Sequence, residues 1–232
     1  MRHSLRKNKT SRHSKVKKII HNSKKIKCVT RFGKKIGHLG HLEDVPAYSN
    51  CNNSFESGFN NVIRYKNKNI FSGMQWQCVE YARRYLITKL GVTFASVVGA
   101  EDVFGLKTVE SIENGKKYKF KTYKNNLNCR RKNNMPRVND VIIWARNKED
   151  TPYGHIAVIL KIEGDQIFIG EQNWSNDAWT SPRPPPHSRV LMFKKYNNRC
   201  TIIDGNYIIL GWKRVSLKPL KQDIPISLIN SP

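Results

Sequence analysis

The sequence predicts an α+β domain in which one helix packs on an antiparallel β-sheet, and three observations carry that expectation. Over residues 77–90, Val79, Ala82, Tyr85 or Leu86 and Leu90 recur at helical spacing, with Glu80, Arg83, Arg84 and Lys89 on other faces and Gly91 as a stop. Residues 140–145, 155–162, 166–171 and 207–214 are apolar or alternating runs that read as strands. They are bounded by turn signals at 147–152, 163–165 and 204–206, and links this short favour antiparallel meanders.

In chain order, residues 1–35 are a run of Lys, Arg, His, Ser and Asn with few large apolar side chains. Such a segment cannot offset its own ordering entropy, so it is expected to be a disordered basic arm, either merely solvated or binding a polyanion. Residues 36–216 form the expected single catalytic domain, and 217–232 a C-terminal tail. The Gly- and Asn-rich stretch 32–71 suggests loops and short strands, and 101–109 a second short helix. Residues 182–186 read as a surface loop or extended proline segment.

Composition narrows the function classes. The chain of 232 residues carries 42 Lys+Arg against 17 Asp+Glu, a formal net charge of +25. That field favours polyanions such as nucleic acid, anionic membrane or anionic wall polymer, although an AT-rich coding sequence would also enrich Lys. Residues 1–38 hold 14 of the basic residues and no acid. The five cysteines (Cys28, Cys51, Cys78, Cys129 and Cys200) are scattered, odd in number and without CxxC pairs. This argues against a disulfide framework and a structural zinc site, and points to the cytoplasm or another reducing compartment, with association to a virion or nucleic acid as an extension of the charge. No apolar run approaches the roughly 20 residues of a transmembrane segment, so a soluble protein is expected.

The chemistry centres on Cys78, at the start of the helix. A thiol there sits beside unpaired backbone N–H groups and the positive end of the helix dipole, which favour the thiolate and can bind the oxyanion formed at an attacked carbonyl. His155 opens a strand after a turn, where it faces a cleft. Glu171 and Asn173 end the next strand, and a hairpin of that length returns a polar acceptor to the imidazole. Nucleophile, base and orienter follow in the chain order of papain-like cysteine enzymes. The backbone N–H of Cys78, with a donor from Gln77 or Gln75, would hold the oxyanion. Trp76 and Trp144 are read as packing.

These residues carry a resemblance. The block Gly73–Leu86 around Cys78, with Gly154-His155-Ile156-Ala157, Glu171-Gln172-Asn173 and Ile209-Leu210-Gly211-Trp212, resembles the CHAP-type amidase domain of the glutathionylspermidine synthetase/amidase and trypanothione synthetase family. The resemblance implies a papain-like CHAP (NlpC/P60-type) fold and hydrolysis of the amide between glutathione and spermidine. It implies catalytic roles for Cys78, His155 and Glu171, a supporting place for Asn173, and no metal or cofactor. Arg83 would meet a substrate carboxylate, or else is an exposed helix arginine paired with an acid. The chain ends at Pro232 without the synthetase half, so hydrolysis and not ligation is expected. Segment 125–134, with Lys124, Arg130, Arg131 and Lys132 in and beside it, would make the cleft rim basic and favour an anionic substrate. Two other functions stay open: a peptidoglycan amidase or endopeptidase, and a basic nucleic-acid-associated structural protein keeping an inactive amidase fold.

Overall fold

The computed structural model describes residues 37–42, 44–51, 54–179 and 186–219. The basic arm, most of the 182–186 segment and most of the C-terminal tail lie outside them.

Two hairpins come first: β1 (His38–Leu42) with β2 (Val45–Tyr48), then β3 (Asn60–Tyr65) with β4 (Lys68–Met74). The helix α1 (Cys78–Leu90) follows. Beyond it run β5 (Val92–Thr93), a 3-10 turn (Ala100–Gly105), β6 (Thr108–Ser111), β7 (Lys117–Lys124) and β8 (Leu127–Asn128). A second 3-10 turn (Lys132–Asn134) leads to β9 (Val141–Trp144), β10 (His155–Glu163) and β11 (Gln166–Gly170). The last strands are β12 (Arg189–Tyr196), β13 (Arg199–Ile203) and β14 (Ile209–Pro219). Ten of them form one sheet in the order β5-β6-β7-β14-β9-β10-β11-β12-β13-β8.

The central strands are buried on both faces, which is why β9 and residues 156–160 of β10 are unbroken apolar runs rather than alternating ones. Val141, Ile143, Ile156, Val158 and Leu160 pack with Tyr81, Tyr85 and Leu86 of α1. Ile142, Trp144, Ala157 and Ile159 join Ile167, Ile169, Leu191, Phe193 and Trp212 in a second cluster. Asn125 encloses that cluster by curling the sheet: its N–H donates to Leu210 O on β14, while its side chain exchanges two hydrogen bonds with Ile202 on β13.

The helix starts at Cys78 with Gln77 as extended N-cap, and ends at Gly91, whose left-handed backbone (φ 64°) lets its N–H reach the last-turn carbonyls. The charged residues of its first two turns do not face water. Glu80, Arg83 and Arg84 are all buried, because α1 packs against β2, β3, β4, β5 and β10 together. The helix expected over 101–109 divides into the 3-10 turn and β6.

The cysteine reading needs correction. Cys129 and Cys200 form a disulfide across 71 residues of sequence, and Cys51 is also disulfide-bonded. Pairing of β8 with β13 sets Leu127 opposite Cys200 and ties Cys129 N–H to Asn198 O, so the two thiols meet through sheet register that no spacing rule reveals. The argument for a reducing compartment therefore loses its basis. Cys78 is the free cysteine among the described residues.

Candidate active site

Three elements converge on one cavity of about 900 Å³, lined by Gln77, Cys78, His155, Asn173 and Trp174 among others. Cys78 occupies the first turn of α1, where backbone N–H groups have no intrahelical acceptor. His155 opens β10 opposite Trp144 of β9. The chain enters there through Gly154 (φ 73°), where a Cβ would lie 2.8 Å from Trp144 O and 2.9 Å from Glu101 N, so only glycine fits that close turn. Glu171 follows β11, whose Gly170 pairs with Val158 of β10.

The side chains form a continuous row. His155 Nε2 lies 2.8 Å from Glu171 Oε2, and Cys78 is close enough for its charge to act on the same ring. With Nε2 held by the carboxylate, Nδ1 is left for sulfur. Burial alone would lower the imidazole pKa, but the charge and hydrogen bond of Cys78, then those of Glu171, outweigh it and push it up to about 9. Burial would likewise raise Glu171, yet the hydrogen bond and charge of His155, with Arg189 behind them, hold its carboxyl down at about 2. His155 and Glu171 are 2% and 1% exposed and Cys78 9%, so the row is largely screened from water, with Cys78 and His155 lining the cavity.

Residues that the sequence did not single out complete the row. Arg189, opening β12, donates through Nε to Glu171 Oε1 at 2.6 Å and through Nη1 to both oxygens of Asp204 at 2.9 Å. Its guanidinium stacks 4.1 Å over Trp174, which itself packs 4.7 Å from the His155 ring. Ser188 Oγ adds a 2.7 Å bond to Glu171 Oε1. Trp144 is fully buried, packs edge-on against His155 and donates to Asp204, while Trp76 packs 4.3 Å from Tyr48. Arg189 and Asp204 carry no motif of their own: the β11–β12 pairing brings in Arg189, and the β12–β13 pairing brings in Asp204 just past β13.

Asn173 and Gln77 are placed together. Asn173 Nδ2 donates to Gln77 Oε1 at 2.7 Å, and Gln77 Nε2 donates to Phe55 O at 2.9 Å. Asn173 adopts a left-handed backbone (φ 56°), which turns the chain away from β11 along the cavity wall.

Arg83 is not brought to this cavity. It is 3% exposed, donates to Ser72 O and Ala95 O, and lies 4.6 Å over the Phe94 ring beside a second cavity of about 740 Å³. Five residues advance the helix by about 500°, leaving Arg83 roughly 140° round the axis from Cys78. Neither substrate contact at the thiol nor an exposed ion pair describes it. The basic rim is corrected too: none of Lys124, Arg130, Arg131 and Lys132 lines the cavity, whose charged lining among the described residues, other than His155, is Glu56, Glu149 and Asp150. Among the described residues, no cluster of three His, Cys, Asp or Glu side chains is arranged to hold a metal, and no helix is long and apolar enough to cross a membrane.

Comparison with known proteins converges on the same stretch. The family model of the CHAP domain matches residues 69–173. The chain is 29% identical over 187 residues to trypanothione synthetase of Crithidia fasciculata, covering 78% of this chain and 26% of that protein. It is 27% identical over 180 residues to glutathionylspermidine synthase of the same organism, covering 77% and 23%. Against the bifunctional glutathionylspermidine synthetase/amidase of Escherichia coli (strain K12) it is 29% identical over 144 residues, 61% of this chain and 22% of that one. The chain thus spans about a quarter of the length of these relatives. The stretch that the CHAP-domain model matches, residues 69–173, holds Cys78, His155 and Glu171.

Proposed function

We propose that this chain is a cysteine-dependent amidase of papain-like design that releases a polyamine from a glutathione conjugate. The observation that carries the reading is the buried row Cys78–His155–Glu171, with the His155–Glu171 hydrogen bond behind the sulfur, on the wall of one cavity.

His155, its proton affinity raised by its neighbours, takes the thiol proton of Cys78, and the sulfur attacks the amide carbon. The N–H groups of the first turn of α1 stabilise the oxyanion, each worth roughly 3 kcal/mol in such sites. Gln77 lines the cavity, but its side-chain amide is engaged at both ends, so its part is to brace Asn173. The imidazolium then gives its proton to the departing amine, the C–N bond breaks and a thioester remains. Water, losing a proton to His155, attacks the thioester and restores the thiol and a free acid. Glu171 accepts from Nε2 throughout and stabilises the imidazolium, with Arg189 fixing Glu171. No step calls for a metal or cofactor.

The identity of the amine follows from charge. Among the described residues Glu56, Glu149 and Asp150 line the cavity and no Lys or Arg does, and that lining favours a cationic leaving group. Spermidine fits that chemistry. A second reading, hydrolysis of peptidoglycan peptides, draws support from the disulfide of Cys129 and Cys200, a bond at home in oxidising compartments.

Incubation with glutathionylspermidine should release spermidine, measured by chromatography, while purified cell walls stay turbid. Clearing of the walls without spermidine release would transfer the proposal to the second reading, and neither reaction would defeat both.

The pH profile provides a separate check. The imidazolium proton is in place below about 9 and is lost above it, so kcat should fall as pH rises through about 9. The Glu171 carboxylate stays ionised down to about 2 and sets no limb near neutrality. Stability follows the same sign. The imidazolium's contribution is complete below its unfolded value of 6.5 and vanishes as pH passes about 9, so Tm should decline across that window. Cys78→Ala, which removes the main interaction raising the imidazole, should move the His155 titration to lower pH by NMR.

A further inference from the structure

We propose that the face of the sheet bearing β7, together with the adjoining loop 130–137, is a docking surface for the phosphate backbone of nucleic acid, separate from both the cleft and the N-terminal arm. Residues 115–139 hold nine Lys and Arg and no Asp or Glu. The fold gathers much of that charge on one side.

Lys119 and Lys121 alternate with the buried Phe120 on β7, so both project from the face opposite the helix and are exposed, about 7 Å apart along the strand. Lys121 pairs across the ladder with Arg214 of β14, and directly opposite residues share a face. Arg214 in turn anchors the loop, donating to Asn133 O and Met135 O at 2.7 and 2.6 Å. Arg137 closes it from the other end, with a 2.7 Å bond to Asn133 Oδ1. Arg130, Arg131, Lys132 and Arg137, all exposed, are thereby held beside the lysines of β7.

The nearby acids are already engaged or offset. Asp140 is taken up by Arg214, and Glu110 stands opposite Lys117, which is therefore left out of the surface. The remaining cations do not converge on a pocket, which disfavours a small anion and favours a long one that meets them in succession. Exposed guanidinium groups suit bidentate contact with phosphate. A membrane would gain from apolar side chains to insert, and Val138 is the exposed large hydrophobic residue of this segment. Exposed aromatic platforms are likewise missing from it, so recognition would be of backbone charge and not of base sequence.

The test is lysine acetylation footprinting of the full chain, read by mass spectrometry, with and without a 20-base-pair DNA duplex. Lys119, Lys121 and Lys132 should be protected at least severalfold while Lys161 and Lys195 stay reactive. The quadruple variant Lys119→Gln, Lys121→Gln, Arg131→Gln, Lys132→Gln should bind the duplex at least about tenfold more weakly in 0.1 M salt. Its log–log salt slope should be shallower by about 3, as expected for loss of several phosphate contacts. Its thermal midpoint and spermidine release should be unchanged, which separates this proposal from the one about the cleft. Equal acetylation with and without DNA would overturn it, as would an unchanged slope. Protection by phosphatidylserine vesicles but not by DNA would also overturn it and assign the surface to a membrane.

Discussion

Cys78→Ala is expected to lower amide hydrolysis by at least about 10⁴-fold while leaving the fold and substrate affinity near their original values. In the proposed mechanism the sulfur is the atom that forms the covalent bond. His155→Ala should cost as much, because without an acceptor for the thiol proton the same step fails. The double variant should be little worse than either single one, since the two side chains act as one unit. Initial rates of spermidine release, with isothermal titration for binding, give both numbers. A residual rate of a tenth or more in Cys78→Ala would remove the covalent route.

The largest effect on stability is expected at Glu80. Its carboxylate is wholly buried and meets Arg84 Nε at 2.7 Å, Arg84 Nη2 at 3.1 Å, Asn61 Nδ2 at 2.8 Å, Ser72 Oγ at 2.9 Å and Gln172 Nε2 at 3.0 Å. Glu80→Gln leaves the buried Arg84 charge without its counter-charge, a loss of about 3–5 kcal/mol. For a domain of this size that is roughly 10 °C in Tm. Replacing both partners with apolar residues, Glu80→Leu with Arg84→Met, should recover part of the loss, because no orphaned charge remains. The same change should reach catalysis. Gln172 follows Glu171 in sequence and ties α1 to the end of β11 through Glu80, Arg84 and Gln77 O. Loosening it frees the sulfur from its register with the imidazole, and kcat should drop more than KM rises.

The sequence was informative where periodicity and burial point the same way. Cys78, His155 and Glu171 could be grouped because a helix start and one hairpin are both short-range features. The hidden parts depend on long-range geometry. Glu80 and Arg84 fall on what looks like a polar helix face, and only the packing of β2, β3 and β4 over that face turns it inward. The hairpin of β12 and β13 was not foreseen because Val190 and Met192, on the outer face, blur the alternation with Leu191 and Phe193. β7 does alternate, but its outward lysines masked a strand as a charged stretch. Arg189 joins the site through a strand pairing, and Cys129 finds Cys200 through another, so neither leaves a local trace.

That last bond sets a condition on the proposed chemistry. A milieu oxidising enough to keep Cys129 joined to Cys200 also exposes the nucleophile to peroxide, and Cys78 must stay at the lowest rung of sulfur oxidation to act. Among the described residues it has no second thiol with which to condense, so a sulfenic acid formed there would wait for an outside reductant or proceed to sulfinic acid. Under the proposed mechanism the chain would then function only in a band of redox poise, bounded below by cleavage of its cystine and above by loss of the Cys78 thiol.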